Sequence, residues 1–119
     1  MATNFKSAAS GALLSLAALA QEWREVDILF GRTGHDVAFD TSRQVHVLVG
    51  GRSIHGVRTT TGVWEWNGGR WDKRVVPVQL SEREDHAVCF DELRQTVLVF
   101  GGLDLATRTF QGDGWTWDG

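Results

Sequence analysis

Five side chains in this sequence have the chemistry to grip an anionic ligand. Arg32 and Arg83 each stand three residues before a histidine, and Arg52, His55 and Arg58 crowd into one polar stretch. A guanidinium is a planar, permanently charged fork that can meet a carboxylate with two parallel hydrogen bonds. An ion pair within the chain is the competing use for Arg32 and Arg83. His35 and His86 raise a second possibility, because imidazole is the commonest metal ligand. Both return with the period of the chain, which fits an anchoring hydrogen bond better, so no metal and no other cofactor is assigned. Six tryptophans (Trp23, Trp64, Trp66, Trp71, Trp115 and Trp117) could form a stacking platform for sugars. Their recurrence at equivalent positions favours packing instead. No Ser/His/Asp set, phosphate loop or Cys-rich metal spacing occurs, and no catalytic residue is assigned.

The rest of the chain must be able to position such groups. Twelve Lys+Arg against 15 Asp+Glu leave a formal charge of −3, without the basic surplus that binding to phosphates requires. A hydrophobic share of 42% and a charged share of 23% describe a folding chain. Its single cysteine, Cys89, forbids an intrachain disulfide; aligned with Ala38 on a strand, it reads as a small buried residue. Residues 1–20 differ in character. Lys6 is followed by an apolar run from Ala8 to Ala20 that closes Ala18-Leu19-Ala20, the pattern of a secretory signal peptide. The run is shorter than the ~20 residues that cross a bilayer. The expected location is therefore secreted, periplasmic or in the cell envelope.

Beyond residue 20 the sequence repeats. Sliding residues 32–68 by 51 onto 83–119 gives 12 identities in 37 positions without a gap. Arg32 and His35 return as Arg83 and His86, Phe39-Asp40 as Phe90-Asp91, and Gly50-Gly51 as Gly101-Gly102. Trp64, Trp66 and Gly68 return as Trp115, Trp117 and Gly119. Each unit reads as strands. Val45–Val49 and Thr96–Phe100 are continuous apolar runs closed by diglycine, the signature of strands buried on both faces. Shorter strands, His35–Phe39 and His86–Phe90, precede them across aspartate-led turns. The tryptophan pairs at i and i+2 share one strand face, and Trp71–Val76 supplies a fourth strand.

The order R-x-x-H, aspartate turn, apolar run into Gly-Gly, then W-x-W-[ND]-G resembles the kelch repeat of secreted bacterial and galactose-oxidase-like β-propellers. The resemblance implies an all-β fold of four-stranded antiparallel blades. It divides the chain into residues 21–31 (the outer strand of a neighbouring blade, with Gln21–Val26 similar to Arg70–Val75, and a connector), 32–82 (blade one) and 83–119 (three strands of blade two). Two blades do not close a ring, so further blades are expected from a longer chain or from homo-oligomerisation. The implied role is a binding module that recognises a protein or carbohydrate through loops on one face, contacted by Arg32, Arg83, Arg52, His55 and Arg58. The alternative is a non-catalytic segment of a larger secreted oxidase-like or carbohydrate-active enzyme. Copper chemistry of the galactose-oxidase type needs tyrosine, which this sequence lacks, and the sialidase box S-x-D-x-G-x-T-W is also missing.

Overall fold

A computed structural model describes residues 22–25, 31–53, 62–76 and 80–119. The segment 1–20, read as a signal peptide, lies outside the described residues. All regular structure described is β-strand. The first unit comprises β1 (Arg32–Thr33), β2 (Asp36–Asp40), β3 (Val45–Val49), β4 (Arg52–Ser53), β5 (Val63–Trp66) and β6 (Trp71–Lys73). The second comprises β7 (Arg83–Glu84), β8 (Ala87–Asp91), β9 (Thr96–Phe100), β10 (Leu103–Asp104) and β11 (Gly114–Trp117). Each element from β1 to β5 thus has a counterpart 51 residues on, so the sequence repeat is a structural one.

Strands β2-β3-β5-β6 form an antiparallel sheet in that order, and β8, β9 and β11 form another with β9 central. Two shorter ribbons, β1 with β4 and β7 with β10, stand beyond the diglycines. The turns explain the Asp-x-x-Arg-Gln pattern. Asp40 Oδ1 accepts from the backbone N–H of Ser42 at 3.0 Å and of Arg43 at 2.9 Å. Asp91 Oδ1 does the same for Leu93 and Arg94, both at 3.0 Å. Gln44 and Gln95 then take left-handed backbone angles, φ +58° and +54°, before the chain re-enters a strand.

The two sheets stack face to face. Ala38, Val47, Val49 and Val63 of the first bury against Val97 and Val99 of the second, with Val88, Phe90 and Trp117 packed around them. Five valines and an alanine make a thin, β-branched interface, and polar contacts border it. Asp36 Oδ2 accepts from Val88 N at 2.8 Å, and Glu65 Oε1 accepts from Trp117 Nε1 at 2.9 Å. Backbone bonds cross as well, from Gly51 N to Arg83 O and from Asp85 N to Gly34 O, each 2.9 Å.

The structure corrects several expectations. The short strands begin one residue later, at Asp36 and Ala87, and β6 ends at Lys73 rather than Val76. Of the outer strand of a neighbouring blade expected at Gln21–Val26, residues 22–25 are described and pair with no strand among the described residues. β3 is buried toward both faces at Val47–Val49 alone, with His46 exposed; on β9, Leu98 and Phe100 are exposed on the side away from the first sheet. Cys89 shares that side and is exposed, not buried. Ala38, its counterpart, is covered by the second sheet, whereas no described residue covers the far face of the second sheet.

His86 shows how the stack differentiates equivalent residues. It is buried, with Nε2 3.0 Å from the carbonyl oxygen of Val49, while its counterpart His35 is exposed. Burial lowers the His86 pKa, although the Val49 carbonyl pulls the other way. Nδ1 is buried without a partner among the described residues, so the neutral ring with Nε2–H donating fits the site. The unfolded chain therefore takes up this proton first. Stability is complete above the unfolded histidine pKa of ~6.5 and falls as pH drops through that value towards the lower folded one. Denaturation midpoints followed from pH 7.5 to 5 should fall less steeply for His86→Gln than for the parent; equal slopes would refute the assignment.

Candidate functional site

Each diglycine turns the chain out of its central strand into a ribbon, and the arginines of the R-x-x-H motif secure that turn. Arg32 Nη1 donates to Gly50 O at 3.3 Å, and Arg83 Nη1 donates to Gly101 O at 2.9 Å. Both pairs are separated by 18 residues, so one clamp operates twice. Arg83 goes further. Its guanidinium grips Asp113 with two bonds, 2.6 and 3.0 Å, and donates to Ser81 Oγ at 2.8 Å. It is 1% exposed. The same contacts, Arg83 first and Trp115 Nε1 second, hold the Asp113 carboxyl far below the usual carboxylate range. In the first unit Gly62 stands where Asp113 stands in the second. Arg32 accordingly lies over the Trp64 ring, 5.6 Å from its centroid, and Trp64 Nε1 is buried without an acceptor among the described residues. The geometry thus gives Arg32 and Arg83 structural partners, and leaves Arg83 no donor facing solvent.

The ribbon ends carry the exposed charge. Arg52, on β4, places Nε 3.0 Å from Oε2 of Glu84, and Arg108 reaches the other carboxylate oxygen at 3.8 Å. Glu84 itself is buried, while the two arginine side chains are 56% and 62% exposed. One carboxylate therefore holds two cations from different units at one end of the stack, each still turned to solvent. His55 and Arg58 lie outside the described residues. Arg108 was not among the expected contacts; the signal for it is its place in the loop between β10 and β11, which diverges from its counterpart. That loop is held tightly. Asp104 Oδ1 accepts from Ala106 N at 2.8 Å and Thr107 N at 2.9 Å, and Arg108 takes φ +57°.

Paired guanidiniums beside a buried carboxylate offer donors for carboxylates, phosphates or sugar hydroxyls. Among the described residues no three His, Cys, Asp or Glu side chains gather as a metal site would require. A second concavity, of about 870 Å³, opens between the outer ends of the sheets, walled by Val75, Val76, Leu80, Trp115 and Trp117 with Lys73 at its border. The chain matches no model of a known protein family, and no curated protein matches it either.

Proposed function

We propose that the two stacked sheets are kelch-type propeller blades and that the chain works as a binding module for a protein or carbohydrate. The observation that carries this reading is the contrast between scaffold and ribbon ends. Strands, turns and the arginine–diglycine clamp recur at a fixed offset of 51, while the residues just after each diglycine differ: Arg52-Ser53 in one unit, Leu103-Asp104 in the other. A constant frame carrying divergent loops is the usual arrangement of recognition surfaces. Arg52 and Arg108, both exposed and held by Glu84, are the described residues best placed for contact, and His55 and Arg58 follow Arg52 closely in the sequence. Arg32 and Arg83 serve the frame.

Replacing Arg52 and Arg108 by alanine together should weaken capture of acidic glycans or peptides on an array by roughly tenfold or more, the scale of losing one or two charge-assisted hydrogen bonds. Because the buried Glu84 carboxylate loses both cations, the melting temperature should fall as well, so capture is compared at a temperature where both proteins are folded. Unchanged capture by the double variant would refute the site.

A further inference from the structure

Asp113 is the one member of its cluster that the first unit does not repeat. In the second unit its carboxylate takes two bonds from Arg83, 2.6 and 3.0 Å, and one of 2.6 Å from Trp115 Nε1. Three N–H groups thus converge on one planar anion. Gly62 holds the same station in the first unit. Both residues offer their backbone carbonyl to the first glycine of the diglycine, Asp113 to Gly101 N at 3.1 Å and Gly62 to Gly50 N at 3.3 Å. Trp64 opposes Leu48 just as Trp115 opposes Val99, so the two indoles share a register as well.

What the first unit keeps is the donor side of the arrangement. Arg32 Cζ lies 5.6 Å and Lys73 Nζ 5.7 Å from the centre of the Trp64 ring, so two cations attend one indole. Trp64 Nε1 is buried and meets no acceptor among the described residues. A buried N–H in that position has given up water and gained nothing for it. Burial also lowers the Arg32 pKa, the mark of a charge partly stripped of solvent. There is room beside these donors. A Cβ built on Gly62 would meet only Cε of Lys73 among the described residues, at 3.3 Å, and Lys73 is an exposed, flexible side chain. Gly62 and Lys73 both border the 870 Å³ concavity, which opens the place to solutes. The chain is poorly suited to fill it with a side chain of its own, because Gly62 has φ +113°, a conformation L-residues rarely adopt.

We propose that the first unit binds the carboxylate group of an external ligand beside Gly62, with Trp64 Nε1 as the oriented donor and Arg32 and Lys73 as the attending charges. The group takes the place that the Asp113 side chain takes in the second unit. Arg32 need not leave the frame to serve it. In the second unit the same Nη1 that clamps Gly101 O also donates to Asp113 Oδ1, so clamping and anion binding coexist in one guanidinium. The carboxylate should bind as the anion, since both cations and the indole N–H act on its charge. The site shares no residue with the Arg52–Arg108 pair and goes beyond the ribbon-end reading.

Isotope labelling of the indole nitrogens reads the site directly by NMR in the full chain, with Trp64→Phe and Trp115→Phe assigning the two N–H resonances. When acetate replaces chloride at constant ionic strength, the Trp64 resonance should move downfield and saturate. The Trp115 resonance, already bonded to Asp113, should stay in place. Lys73→Met should raise the half-saturating acetate concentration about threefold, the scale of one exposed charge contact. Acetate should also raise the melting temperature of the parent, as a ligand of the folded state does, and Trp64→Phe should lose that rise. Blocked aspartate and glucuronate, titrated in place of acetate, distinguish a peptide from a sugar as the source of the group, the tighter of the two naming it. A Trp64 resonance indifferent to acetate overturns the proposal. So does an equal movement at Trp115, which would mark a solvent effect on both indoles, or a rise in melting temperature that survives in Trp64→Phe.

Discussion

Glu65→Gln should lower the unfolding free energy by about 3 kcal/mol, near the lower end for breaking a buried ion pair from one side. Glu65 is 2% exposed and lies where the two sheets meet. Its carboxylate accepts from Arg43 Nη1 at 2.7 Å, Arg74 Nε at 2.6 Å and Trp117 Nε1 at 2.9 Å. Burial alone would raise its pKa; Trp117, Arg43 and Arg74 outweigh that and hold it below the ordinary carboxylate value. Glutamine keeps the shape but removes the charge and turns an N–H₂ towards groups that can only donate. Arg43 retains Asp40 at 2.8 Å, and Arg74 is half exposed, which is why the lower end of the range applies. The depressed folded pKa fixes the sign with pH. The stabilisation is complete above the unfolded value of ~4.3 and is lost as pH falls through the folded one. Denaturant unfolding at pH 7 and pH 3 should find the parent converging on the variant in acid. A cost below about 1 kcal/mol at pH 7 would instead mark Glu65 as an ordinary surface ion pair.

The features legible in the sequence are those that recur. Valine-rich runs ending in diglycine, aspartate turns and paired tryptophans each appear twice at one spacing, and β3 and β9 fall on the residues expected of them. The illegible features lie between units or between unlike counterparts. Nothing in the spelling of Cys89 or Phe100 says that its face is uncovered, because the second unit repeats residues but the stack covers its two sheets unequally. Glu65 stands where the second unit has Thr116, so a search for recurring residues passes over the group that joins the sheets. The arginine clamp was open to inference from a constant separation of 18 between each arginine and its diglycine. Its meaning needed the carbonyl partner. Arg52 is legible as a charge in a divergent stretch, but its meeting with Arg108 is not, since their common holder, Glu84, replaces Thr33 and has no precursor in the first unit.

Gly50→Ala and Gly101→Ala alter the same motif position and should differ by about 2 kcal/mol, the scale of forced backbone strain. Both glycines have left-handed backbone angles, φ +60° and +70°, so each substitution carries the cost of about 1 kcal/mol of holding an L-residue there. At Gly101 little else is met, the nearest group being Gln111 O at 3.5 Å. At Gly50 a Cβ would stand 2.7 Å from Arg83 O and 2.7 Å from Cε1 of His86. Arg83 O already accepts from Gly51 N, and the His86 ring is fixed by Val49 O, so neither can retreat without breaking a bond between the sheets. The Gly50 variant should therefore cost about 3 kcal/mol in all, against about 1 for Gly101. Equal costs in denaturant titration would mean that the diglycine matters only for its backbone angle.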